Sequence, residues 1–199
     1  RDAAAWCNST GNQLISKETA GGKSVVVIEK GEPKSCNIVT SCEGKGKTFI
    51  MFSDDLDKAL ATFVLANGAA ATVQKITIFF TFWGLNVIKK LHKPNVEKDI
   101  FGKMFGMMLP SSSRKLKLSK MSMGGIGGKM MRYIMNRKGI DSLESLRQQA
   151  LENGVEFIAC QMSMDVMGVK QEELLDEVTI GGVATYMERA DNANINLFI

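Results

Sequence analysis

The 199-residue chain is 45% hydrophobic and 23% charged, which supports a packed core and excludes the collagenous, disordered and disulfide-scaffold classes. Its net charge of +4 conceals an asymmetry: residues 89–138 hold 13 Lys and Arg against Glu97 and Asp99, and 8 of the 13 methionines. The longest apolar stretch, Ile76 to Leu85, is too short to span a bilayer and carries two threonines and a glycine.

In chain order, residues 1–31 predict a short helix over Arg1–Asn8, then strands Gln13–Glu18 and Lys23–Lys30 joined by Ala20-Gly21-Gly22. The helix is cut short at its start, so a small α+β module is expected to be incomplete here. No charged run precedes an apolar core, so no signal peptide is expected. Polar residues 32–46 read as a linker. The apolar run Thr48–Phe52 predicts a strand, Ser53-Asp54-Asp55 an N-cap cluster, and Leu56, Leu60, Phe63 and Val64 the inner face of a helix. A strand over Lys75–Phe80 and a helix over Trp83–Leu91 follow. After the basic, methionine-rich stretch, Asp141-Ser142-Leu143-Glu144 opens a helix that Asn153-Gly154 closes. The strand Val155–Ala159 leads into a helix from Gln161. Val178–Ile180, a helix from Gly181-Gly182 to Ala190, and Ile195–Phe198 complete the pattern. Strands alternating with helices predict an α/β fold, a flavodoxin-like doubly wound layout with five mainly parallel strands.

The residue that carries most chemical information is Cys160. A thiol at a strand's carboxyl end lies where open α/β sheets hold ligands, and the unpaired amides of Gln161, Met162 and Ser163 would favour negative charge on the sulfur. The plainer reading is a buried cysteine acting as a small hydrophobe. Four cysteines make no disulfide framework, so a reducing cytoplasm is the expected compartment. Cys36 and Cys42 are spaced too widely for a zinc knuckle but suit a resolving or relay pair. His92 is the only histidine, and no metal or other cofactor is expected. Gly46-Lys47-Thr48 precedes a strand and lacks the first P-loop glycine, Ser41 standing in its place; Gly124 to Gly128 reads as a hinge. Asp54, Asp55 and Asp57 fit helix capping better than acid–base work. Arg114 to Lys120 alternates basic with apolar residues but lacks the stacking aromatics of a nucleic-acid surface.

Several strings resemble the DsrE/DsrF-like sulfur-relay superfamily, in its peroxiredoxin-like subgroup: Phe52 to Leu60, Ala66 to Ala71, Phe79 to Asn86, Lys120 to Gly125, Phe157 to Gly168 and Gly181 to Tyr186. The resemblance covers residues 47–199, with the basic Met-rich part at about 94–138 as an insertion. It implies an α/β domain assembled as a trimer or hexamer and a persulfide-bearing cysteine just past a central strand, where Cys160 stands. Residues 1–31 are similar to the end of a TusA/SirA-like domain, without that family's Cys-Pro-x-Pro motif.

Two functions follow. In the first, Cys160 carries sulfur from a persulfide donor to an acceptor thiol. Ser53, Asp54, Trp83, Gln161, Met162, Ser163 and Gly182 are expected to line its cleft. In the second, the chain is a non-catalytic binding or oligomerisation module whose basic Met-rich segment meets a partner or an anionic cofactor such as coenzyme A. A cysteine peroxidase fits less well, because no threonine stands at a peroxidase-like spacing before Cys160 and no arginine is adjacent.

Overall fold

The computed structural model describes residues 12–20, 23–29, 46–71, 75–92, 106–120 and 123–199, with Cys7, Pro94, Val96 and Met104. The expected first helix (Cys7 apart), the linker up to residue 45, and Cys36 and Cys42 lie outside the described residues. The two expected N-terminal strands form an antiparallel pair, β1 (Gln13–Ala20) with β2 (Lys23–Glu29).

Apolar, β-branched runs build the main sheet: β3 (Gly46–Met51), β4 (Ile76–Phe80), β5 (Glu156–Cys160), β6 (Thr179–Gly181) and β7 (Ala193–Phe198). All pairings are parallel, in the order β6-β5-β4-β3-β7. β3 thus starts two residues before the expected Thr48, taking Gly46 from the linker. Central β4 is buried at every position, as a strand covered on both faces must be.

The connections step one way from β3 to β6, and the last crosses back to place β7 on the far side of β3. Right-handed crossovers then put the last helix on the opposite face from the others. Side-chain parity agrees. Phe80 and Phe157 point into a large cluster beneath α1 (Leu56–Ala70) and α3 (Leu143–Glu152), where Phe63 meets Phe157 at 5.7 Å and Phe80 meets Phe157 at 5.3 Å. Phe79, Ile158 and Cys160 point the other way, against Tyr186 and Ala190 of α5 (Val183–Asp191). The doubly wound layout is therefore present, with one helix on its thinner face.

Asn67 links α1 to α3 through Nδ2 to the Leu146 carbonyl at 2.9 Å. Its neighbour Gly68 has open space where a side chain would sit. Gly68→Ala should therefore raise stability by about 0.5–1 kcal/mol, read as a higher urea midpoint at unchanged slope.

The helix expected over Trp83–Leu91 is instead a 3-10 helix over Phe82–Ile88. Two features force the tighter path. Phe82 has a left-handed φ of 46°. Gly84 is pressed so closely on β3 that a Cβ there would lie 2.0 Å from the Met51 carbonyl oxygen. Buried Arg147 holds the exit of this segment, donating to the Val87 carbonyl at 2.7 Å.

Much of the basic stretch folds back onto the domain. Leu116 is buried, and Leu118 packs against the main core, while Arg114, Lys115, Lys117 and Lys120 face outward. The expected hinge over Gly124 to Gly128 is shorter than its sequence: Gly124 and Gly125 have positive φ, whereas Gly127 and Gly128 are buried in α2 (Ile126–Arg137). Gly128 lies close to the docked segment: a Cβ there would stand 3.2 Å from the Leu116 carbonyl oxygen.

Glu156, at the start of β5, accepts from Arg189 Nε at 2.9 Å and Nη2 at 3.1 Å, and from Thr77 Oγ1 at 2.9 Å. Partial burial works against its charge, but these donors outweigh it and hold the carboxyl below the usual glutamate range. A depressed folded-state pKa gives stability that is present above the unfolded value and lost as pH falls through the folded one. Stability should thus decline on acidification below about pH 4.3, the ordinary glutamate value. Glu156→Gln should flatten that decline in acid titrations followed by circular dichroism.

Candidate functional site

The residues expected around Cys160 lie near the carboxyl edge of the sheet or on the helices leaving it, but not in one cleft. Cys160 ends β5 and is the N-cap of α4 (Gln161–Met167), so free backbone amides of that helix's first turn follow it directly. Its residue exposure is only 2%. It nevertheless lines a cavity of about 410 Å³ with Gln161, Met162, Asp165, Gly182 and Val183. Part of the rim is apolar: Met162 and Val166 stand one helical turn apart on α4 and are exposed, as is Val183 on α5. Gln161 Nε2 donates to Asp165 Oδ1 at 3.0 Å along α4.

Ser163 goes elsewhere. It is fully buried, and its hydroxyl pairs with Thr81 Oγ1 at 2.8 Å, tying α4 to the end of β4. Its side chain thus anchors the helix.

Asp54 and Trp83 belong to a second cavity of about 540 Å³, past the ends of β3 and β4 and walled by Met107, Met108, Lys115 and Lys117. Here the sheet order reverses between β3 and β7, the position at which doubly wound sheets bind ligands; Cys160 stands two strands away. Asn86 Nδ2 donates to Asp54 Oδ2 at 2.9 Å. Burial raises the Asp54 pKa above the ordinary aspartate range, and the Asp55 charge adds to this against the opposing Asn86 bond. Asn86 is itself fully buried, with its Oδ1 unpartnered among the described residues. Sequence reasoning passed over Asn86; the signal available was one amide inside the apolar run Leu85 to Ile88.

Ser53 and the other aspartates organise the start of α1. Asp55 is the N-cap residue, yet its side chain caps no amide; it accepts from Ser53 Oγ at 2.7 Å, and its own amide donates to that oxygen at 3.1 Å. Asp57 accepts from the Ser119 amide at 2.9 Å and from the Ser119 hydroxyl. Slight burial opposes the charge, but these bonds prevail and lower the Asp57 pKa. Asp57 thus stitches the basic segment to α1. Among the described residues no cluster of histidine, cysteine and carboxylate side chains fits a metal ion, and no helix is long and apolar enough to cross a membrane.

Comparison with known proteins covers the same domain. The chain is 43% identical over 155 residues to the uncharacterized protein YrkE of Bacillus subtilis (strain 168), spanning 78% of this chain and 97% of that one. It is 37% identical over 161 residues to the sulfur carrier protein DsrE2 of Allochromatium vinosum, spanning 79% and 99%. The crystal structure of the ychN protein of E. coli superposes with a TM-score of 0.46 at 9% identity, over 78% of this chain and 99% of that one. A description of the DsrE/DsrF/DrsH-like family matches residues 44–198, and the chain belongs to that family.

Proposed function

We propose that this protein is a sulfur carrier that holds sulfur as a persulfide on Cys160. The Cys160 thiolate attacks the outer sulfur of a donor persulfide, R–S–SH. The donor S–S bond breaks, R–S⁻ leaves, and Cys160–S–SH forms. An acceptor thiolate reverses the sequence and regenerates Cys160, so no external oxidant or reductant is consumed. The observation that carries this reading is the position of Cys160: last in a central strand, followed by free helix amides, and lining a cavity between α4 and α5. Similarity to a sulfur carrier protein over 79% of the chain supports it.

The exposed Met162, Val166 and Val183 offer apolar area around the cavity mouth, which suits contact with a donor or acceptor protein or between subunits of a homo-oligomer. A reducing compartment such as the cytoplasm would keep the thiols in use. The N-terminal strand pair would be a TusA/SirA-like appendage.

The test is intact-mass spectrometry after incubation with a persulfide donor. The protein should gain one sulfur atom and lose it again on adding an acceptor thiol. A mass that never changes, under donor conditions that load a control persulfide protein, removes the reading.

A further inference from the structure

The second cavity has its own chemistry, unused by sulfur transfer at Cys160. One wall supplies a carboxyl, Asp54, and another supplies two ammonium groups, Lys115 and Lys117. Between them stand apolar surfaces: Trp83, 42% exposed, and the outward-facing Met107 and Met108. Asp54 takes its side-chain hydrogen bond from Asn86 and is attracted by the Lys89 charge, without a direct ion pair among the described residues.

A purely anionic ligand would suit the lysines but press its charge against Asp54; a purely cationic one would meet the reverse penalty. A ligand carrying both charges satisfies both walls. The volume of about 540 Å³ lies within the range of small-molecule sites and exceeds what a single amino acid fills. The cavity also sits beside the strand-order reversal, at β3, where this architecture places its ligands.

We propose that the cavity at the carboxyl ends of β3 and β4 binds a short zwitterionic peptide of two or three residues, its ammonium toward Asp54, its carboxylates toward Lys115 and Lys117, and its body on Trp83 and the methionines. Binding does not depend on the sulfur-carriage reading, because Cys160 belongs to the other cavity.

Isothermal titration calorimetry with glutathione, a zwitterionic tripeptide, and with S-methylglutathione, which lacks the free thiol, tests this. Wild type and Cys160→Ala should bind both peptides alike. Asp54→Asn should weaken binding about tenfold, the loss of roughly one charge-assisted hydrogen bond. The double variant Lys115→Gln/Lys117→Gln, altered only on the exposed wall, should weaken it to a similar degree. The proposal is overturned by no measurable heat with either peptide, by unchanged affinity in both variants, or by coenzyme A, which has no free ammonium, binding more tightly than glutathione.

Discussion

Cys160→Ala is expected to abolish persulfide formation and transfer, leaving no sulfur gain by intact mass and at least a thousandfold loss of transfer rate to an acceptor thiol, on the order seen when a covalent nucleophile is removed. Neither a methyl nor a hydroxyl group can form the S–S bond, so the effect should be complete. Alanine is the better replacement here. Cys160 packs with Phe79, Ile158 and Tyr186, and a serine hydroxyl buried among them would cost about 1–3 kcal/mol if unpaired. Alanine leaves a void of one sulfur atom and should cost only about 1 kcal/mol. Retained stability in chemical denaturation would separate lost chemistry from lost fold. Should Cys160→Ala still take up sulfur, the carrier must be sought among Cys7, Cys36 and Cys42.

Gly84→Ala should be the most damaging single-methyl change in the domain, lowering stability by about 4 kcal/mol and the thermal midpoint by about 10 °C. The added Cβ would lie 2.0 Å from the Met51 carbonyl oxygen and 2.7 Å from its carbon, atoms of a sheet strand that cannot swing aside. The 3-10 segment would have to withdraw, breaking the 2.8 Å bond from the Gly84 amide to the Phe52 carbonyl. Trp83 and Asn86 ride on this segment, so the cavity around Asp54 should lose its shape as well. Thermal unfolding of Gly84→Ala beside Gly68→Ala gives an internal comparison, since the same substitution carries opposite signs. Equal midpoints would show that the contact at Gly84 relaxes at little cost.

What could be read in the sequence was whatever depends on neighbours along the chain. Short apolar runs gave the five strands, and Ser142 does cap α3, accepting from the Ser145 amide at 3.1 Å. The strand-end position of Cys160 was legible for the same reason. Parity and strand order were not. Which face Cys160 occupies follows from the register of β5 against β4, and the gap between it and Asp54 follows from β4 lying between them. Ser163 reads as a helix-start residue near the thiol, yet its hydroxyl turns to Thr81. The 3-10 path of Phe82–Ile88 was hidden because only contact with β3 forbids an ordinary helix there. The basic stretch also had no local signal for docking; its anchors are distant partners, such as the Leu56 amide donating to the Lys117 carbonyl at 2.7 Å and Ser113 Oγ donating to Glu144 Oε1 at 2.9 Å.

The pairing of β7 with β3 bears on how the domain assembles. Thr48 and Asn196 meet side by side although 148 positions separate them, whereas β3 meets β4 through a much shorter loop. Closing the longer loop costs more chain entropy, so β3, β4 and α1 should gather first and β7 should dock late. A late, edge-placed strand whose side chains are mostly exposed is also the first to let go. Its amides should exchange with solvent deuterium well before those of β4, making the β3–β7 seam the place where the sheet opens under stress.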